Sequence, residues 1–403
     1  MDRTILHCDC NAYFASVECI AQPALKAVPM AVCGDPRSRH GIILAKNERA
    51  KAYGVRTAET IWEAKRKCPG LVLVAPHHDK YAAYCERINA IYLQYTDRVE
   101  RFSVDESWLD VTGSLRLCGD GPAIADELRR RIREEIGLTI SVGVSFNKTF
   151  AKLGSDYQKP DATTVITREN YRALLWPLPA HDMLFVGKAA EETLQNAGVR
   201  TIGDIAESPR ARLSALLGKG GESIWEHANG IDEEPVKRFD EADPVKSVGN
   251  SITFARDLVG MRDIRAGLTM LCDSVATRLR RQGLYCATVQ VQIKDPQLRT
   301  IQRQCRLDPA DNATRAIFDA AMSLVCRAWP ADAPIRLLGV TAASLSDTAA
   351  EQLTLLGGDP AARDKSARLD RTVDAIRARY GKRAIAFANT VDTDIVRGPD
   401  ETD

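Results

Sequence analysis

Asp105 and Glu106 stand side by side in Ser103-Val104-Asp105-Glu106-Ser107, between strand-like apolar runs at 99–102 and 108–111. Adjacent carboxylates repel each other, and a divalent cation is the usual reason for a fold to hold two of them together. Read alone, the pair fits a solvated hairpin turn better. A third acid, Asp9, ends an apolar run at 4–10. Whether the pair can do metal-assisted phosphoryl chemistry depends on whether the fold brings Asp9 to it.

The elements that would do so follow in order. A buried strand at 4–10 is followed, much later, by a helix at 79–95, the hairpin carrying the acids, a helix at 122–135 and a strand at 138–144. This β, α, β, β, α, β order is the ferredoxin-like split βαβ arrangement, in which the first and third strands are central neighbours. Asp9 would then stand beside Asp105 and Glu106, and three carboxylates would meet at a candidate two-cation site. Residues 11–77 form an insertion after the first strand. It holds a helix from 11 to 19, strands at 28–33, 41–45 and 71–74, and helices at 47–53 and 59–68. His77 and His78 read as a solvated turn with no nearby acid or cysteine to complete a site.

Beyond 144 the pattern predicts helices at 145–158 and 168–175, then small helices with glycine turns. The turns at 185–188 and 198–203 suggest a helix–hairpin–helix, and 217–221 is a second glycine turn. Such turns either offer N–H groups to phosphate or merely cap helices. An acidic linker spans 231–246. A second α+β module begins near 247, with helices at 262–281 and 314–325 and strands at 287–293, 300–306 and 336–345. A last helix covers 368–380, and 392–403 is expected to be disordered.

The chain has 403 residues, 45% hydrophobic and 27% charged, with a net charge of +1. That composition fits a soluble globular protein of several domains. Local charge is more informative: residues 246–306 carry 11 Lys and Arg against 4 acids, the footprint of phosphate-backbone binding. The 11 cysteines are scattered without a CxxC pair, so a reducing, cytoplasmic setting is expected. A zinc site at His7-Cys8-Asp9-Cys10 is disfavoured, because strand alternation puts the cysteines on the face opposite His7 and Asp9. No signal peptide, membrane-length run or repeat is visible.

Four segments carry a family likeness: His7-Cys8-Asp9-Cys10-Asn11-Ala12-Tyr13-Phe14, residues 103–112, Ser141-Val142-Gly143-Val144-Ser145-Phe146-Asn147-Lys148, and Gly154-Ser155-Asp156-Tyr157-Gln158-Lys159-Pro160. In these, and over about 3–356, the chain resembles the Y-family translesion DNA polymerases of the bacterial DNA polymerase IV type. The resemblance implies an α+β multidomain fold: a ferredoxin-like palm (1–10 and 78–166), inserted fingers (11–77), a helix–hairpin–helix thumb (167–235), a linker (236–246), an α+β little finger (247–350), and a clamp-binding peptide with C-terminal extension (351–403). It implies a template-directed DNA polymerase of low fidelity, without proofreading, using two Mg²⁺ ions. Asp9 and Asp105 would bridge them, Glu106 would hold the catalytic one, and the Cys10 carbonyl would complete the other. Phe14 would be the steric gate against ribonucleotides. Tyr13, Lys51 and Lys159 would bind nucleotide, and Gly187, Lys188, Gly218, Lys219 and Gly220 would bind DNA. Gln352, Leu353, Leu355 and Leu356 match a sliding-clamp peptide. Implied partners are primer–template DNA, dNTP and the clamp, with the protein a monomer off the membrane.

The chain departs from the family pattern in the fingers, where Glu48 and Lys51 stand at a tyrosine and an arginine position. Asn11 replaces a common acid, and the turn at Gly187 lacks its usual second glycine. The altered fingers residues motivate an alternative: a DNA- and clamp-binding regulatory protein with weakened chemistry.

Overall fold

The computed structural model describes residues 2–36, 41–241, 243–348, 360–381, 384–391 and 393–395. These fall into two compact units that divide between residues 242 and 243.

The first unit is built on a five-stranded sheet, with strands β1 (Ile5–Cys10), β5 (Val99–Arg101), β6 (Glu106–Asp110), β7 (Ile140–Ser145) and β8 (Thr163–Val165), in the order β5-β6-β1-β7-β8. The four expected strands take the ferredoxin-like order, all antiparallel, with β1 central and buried along its whole length. Alternation along β1 sends Leu6, Cys8 and Cys10 into a core with the helices His78–Tyr92 and Gly121–Arg131. Ile5, His7 and Asp9 point to the other face, where the helix Lys148–Tyr157 packs. β8 was not expected. It is three residues long, too short for a periodic signal, and adds to β7 in parallel. The helix begins at Lys148 rather than 145, because β7 runs on through Ser145 and Asn147 caps the helix by accepting from Phe150 N–H.

Gly143 shows why the third motif is fixed. A Cβ there would lie 1.9 Å from the Ala151 carbonyl oxygen and 2.5 Å from the Ser155 nitrogen. Only glycine lets this helix approach β7. Gly143→Ala should therefore destabilise the first unit by about 2 kcal/mol or more through overpacking, read as a lower melting temperature.

The insertion forms its own small sheet, order β3-β2-β4, from β2 (Met30–Cys33), β3 (Ile43–Lys46) and β4 (Val72–Val74). Its helix Ile61–Lys67 opens on a Thr60/Glu63 capping box. Residues 167–230 are helical, with a separate core that takes in Phe146, Phe150 and Leu153. The stretch 232–239, expected to be linker, is docked on the first unit. Arg3 donates to the carbonyls of Asp232, Glu233 and Glu234, Val236 is buried, and Phe239 N–H bonds the Asp97 carbonyl. Its acidic composition hid one apolar anchor.

The second unit is an antiparallel sheet of order β11-β10-β12-β9, from β9 (Ser247–Leu258), β10 (Tyr285–Lys294), β11 (Thr300–Asp311) and β12 (Ile335–Ser346). The helices Gly260–Arg281 and Thr314–Ala328 cover its apolar face. β9 was missed because glycine, asparagine and serine interrupt its alternation and its register shifts near its end. The final helix, Pro360–Tyr380, starts earlier than expected and is pinned to Gly260–Arg281. Arg280 bridges Asp370 and Asp374, and Arg377 pairs with Asp273 at 2.8 Å. Residues 393–395, expected to be disordered, also dock: Ile395 is buried and Asp394 pairs with Arg256. These acids offset part of the basic charge counted over 246–306. Gln352, Leu353, Leu355 and Leu356 lie outside the described residues. Among the described residues no helix is long and apolar enough to cross a membrane.

Candidate active site

The register of β1 against β6 sets Asp9 opposite Glu106, and the Cys10 N–H bonds the Asp105 carbonyl at 3.0 Å. The three acids thus come together from two segments. They do not form one turn: Asp105 ends the hairpin loop, whereas Glu106 is already the first residue of β6. Asp9, Asp105, Glu106 and Cys10 line one wall of a cavity of about 470 Å³. Tyr13, Phe14, Lys46, Glu48, Lys51 and Lys159 line it as well.

Lysines meet two of these acids. Lys159 Nζ lies 2.7 Å from Asp9 Oδ2 and 2.6 Å from Asp156 Oδ1. Lys152 Nζ lies 3.0 Å from both oxygens of Glu106. The Asp105 carboxylate accepts from the Ser103 hydroxyl at 2.6 Å. Burial, with Glu106 beside it, pushes the Asp9 carboxyl well above the usual carboxylate range in spite of Lys159. Burial also raises Asp105. Burial drives His7, which faces Glu106 at 3.9 Å, well below its ordinary value, so it is a neutral imidazole bonded to Ser155.

Among the described residues, no three His, Cys, Asp or Glu side chains are already arranged around one point as a metal cage. The donor set is nevertheless all oxygen and shares one cavity wall, which suits a hard cation such as magnesium. Lys152 and Lys159 supply positive charge to that wall in this structure.

Lys152 was missed by sequence reasoning. Lys148 and Lys152 stand four apart on one helical face, Lys159 follows just beyond the helix end, and each meets an acid of the sheet: Glu100, Glu106 and Asp9. That spacing opposite a charged strand was the available signal. Asn11, at the departed acid position, donates to Ser141 Oγ and accepts from Asp161 N–H. It ties the Lys159-Pro160-Asp161 turn to the end of β1.

The chain leaves β1 through Ala12, whose φ of 46° is left-handed. This sharp turn starts the helix Tyr13–Ala21 beside the acids and aims Phe14 at the cavity. The Tyr13 hydroxyl is turned into the wall, donating to the Tyr81 carbonyl at 2.6 Å. In the insertion, Lys51 pairs with Glu48 at 3.4 Å on an exposed surface. The departed acid is therefore matched by the departed base. His77 does find an acid: its Nδ1 lies 2.8 Å from Glu18, so the expectation of a partnerless turn fails.

Gly187 and Gly218 each precede an exposed helix start, at Lys188 and Lys219, and an added Cβ at Gly187, Gly218 or Gly220 would meet nothing. The Gly218 N–H is already bonded to the Ser214 carbonyl, at 2.8 Å.

The impB/mucB/samB family matches residues 8–156, and its C-terminal domain matches 245–355. DNA polymerase IV of Acetivibrio thermocellus is 48% identical over 383 residues, 94% of this chain and 96% of that protein. DNA polymerase IV of Moorella thermoacetica is 38% identical over 385 residues, 95% of each. The solved structure of a Y-family DNA polymerase chimera shares the fold, with a TM-score of 0.74 over 85% of this chain and 98% of that one at 24% identity. A site of three carboxylates on a ferredoxin-like sheet and relatives matched along nearly the whole chain lead to one conclusion: the chain belongs to the impB/mucB/samB family as a Y-family DNA-directed DNA polymerase of the DNA polymerase IV type.

Proposed function

We propose that this polymerase adds dNMP to a primer 3′ end by a two-metal mechanism with Mg²⁺, at low fidelity, across damaged templates and without proofreading. The observation that carries the reading is the meeting of Asp9, Asp105 and Glu106 on one cavity wall, with Lys159 beside them. Asp9, Asp105, Glu106 and the Cys10 carbonyl would hold the ions. When bound, the two ions lower the pKa of the primer 3′-hydroxyl and neutralise the triphosphate and departing pyrophosphate. Lys159 holds phosphate oxygens, aided by Lys51 and the Tyr13 backbone. Phe14 closes the cavity on the sugar side and excludes a 2′-hydroxyl.

In this reading the five-stranded sheet is the palm (1–10 and 78–166), 11–77 the fingers, 167–235 the thumb and 247–350 the little finger, with 236–246 the linker between them. Gly187, Lys188, Gly218, Lys219 and Gly220 hold the duplex backbone. Gln352, Leu353, Leu355 and Leu356 dock on a sliding clamp. The protein works as a monomer in the cytoplasm, where its unpaired cysteines stay reduced. The second reading, a regulatory DNA- and clamp-binding protein, draws on the Glu48–Lys51 pair, which cancels a cation at the cavity rim.

Primer extension on undamaged and abasic templates tests the proposal. Extension through the abasic site supports it, and a complete stop there removes the translesion part. Phe14→Ala should raise ribonucleotide kcat/KM on the order of 10²-fold, because a steric wall and not a hydrogen bond rejects the hydroxyl. Unchanged sugar selection in that variant refutes the gate.

A further inference from the structure

We infer that Glu18 is a positioning residue for sugar selection, acting through Tyr81 on the Phe14 ring. The inference rests on the reading of Phe14 as the steric gate. Glu18 lies one helical turn beyond Phe14 on the helix Tyr13–Ala21, so both side chains leave the same face. Tyr81 spans them. Its ring stacks on Phe14, with centroids 4.0 Å apart and planes 13° from parallel. Its hydroxyl donates to Glu18 Oε1 at 2.6 Å.

The same Glu18 oxygen meets His77 Nδ1 at 2.8 Å, one turn before Tyr81 on the adjoining segment. The Tyr81 backbone is held as well, because its carbonyl accepts from the Tyr13 hydroxyl. His78 closes the edge, with its ring 5.8 Å from both Phe14 and Tyr81. The Phe14 ring is thus backed by a tyrosine fixed at its backbone, its face and its tip.

The tip is anchored at a cost. The Glu18 side chain is fully buried, and its Oε2 has no hydrogen-bond partner, with Lys80 Nζ no closer than 4.0 Å. A buried carboxylate with one oxygen unmet is destabilising, and an apolar residue would join two helices with less penalty. What the carboxylate adds is direction: a short, charge-assisted bond that fixes the angle of the Tyr81 ring. Burial and the Glu18 carboxylate keep the phenol protonated, and so a donor. A gate needs this stiffness. Repulsion against one extra oxygen falls away over a few tenths of an ångström, so a ring free to tilt would admit the 2′-hydroxyl.

The test measures kcat/KM for dCTP and CTP opposite template G with the full-length protein, in wild type, Phe14→Ala, Glu18→Gln and Tyr81→Phe. Glu18→Gln and Tyr81→Phe should each lower the dCTP/CTP preference about tenfold, on the scale of one charge-assisted hydrogen bond. The change should come through better use of CTP, with dCTP kept within about threefold. The two variants combined should do no more than either alone, and Glu18→Gln should add nothing in a Phe14→Ala background, because all act through one ring. Full discrimination by folded Glu18→Gln and Tyr81→Phe, while Phe14→Ala loses it, overturns the inference and leaves the gate standing. Equal losses for dCTP and CTP also overturn it, since they mark general damage. Discrimination kept by Phe14→Ala removes the gate, and the inference with it. Tyr81→Phe preserves ring and volume, so it decides the matter even if Glu18→Gln fails to fold.

Discussion

Asp105→Ala should lower single-turnover primer extension on the order of 10³-fold, a barrier increase of about 4 kcal/mol, and leave folding and primer–template affinity unchanged. The substitution is clean because the Asp105 carboxylate is bonded to the Ser103 hydroxyl and forms no ion pair with a lysine among the described residues, and the Cys10 N–H bond to the Asp105 backbone carbonyl is kept. Asp9→Ala and Glu106→Ala should lose as much activity. Glu106→Ala also strands Lys152 beside a half-buried wall, so a lower melting temperature should accompany its loss, whereas Lys159 keeps Asp156 when Asp9 is removed. Single-turnover extension, anisotropy with labelled DNA and thermal melting separate the two effects. A loss of DNA binding equal to the loss of extension would assign Asp105 to the duplex grip instead.

Arg280→Ala should destabilise the second unit by about 3 kcal/mol, roughly 6–12 °C in its melting transition. Arg280 is 9% exposed and joins Asp370 (10%) and Asp374 (21%) to the helix that precedes it in the chain. Removing the cation leaves two largely buried acids facing each other. Arg280→Met with Asp370→Leu and Asp374→Leu should recover much of the loss, since a fully apolar replacement leaves no charge unpaired. Burial alone would raise the Asp374 carboxyl, but Arg280 holds it below the usual range. Its contribution is therefore complete above about pH 4 and is lost as acid takes the pH down through the lower folded value. An unchanged melt for Arg280→Ala would mean that the helix Pro360–Tyr380 is not docked in solution.

What the sequence made legible depended on local pattern. The run 4–10, the order of helices and strands after 78, and the acid pair together implied that Asp9 meets Asp105 and Glu106, and the register of β1 places them so. The glycine turns were equally readable. The rest needed tertiary contact. β8 has no period to detect, and β9 breaks its own. Val236 is a single apolar residue in an acidic stretch, and its burial follows from the surface beneath it. His77 looked partnerless because Glu18 lies 59 residues away in sequence. The basic charge over 246–306 was overstated, since Asp370, Asp374 and Asp394 return from the C-terminal extension to meet Arg280 and Arg256. The Glu48 and Lys51 departures, which raised doubt one by one, resolve into a mutual ion pair.

One measurement tests the central claim most directly: single-nucleotide incorporation opposite each template base by the intact chain, with Mg²⁺, with excess chelator, and with Mg²⁺ restored. The account predicts that the complementary dNMP is added in each case, that chelation stops addition, that Mg²⁺ restores it, and that Asp105→Ala shows none of this. No addition by the folded wild-type chain on a bound primer–template, or equal addition by Asp105→Ala, would contradict it.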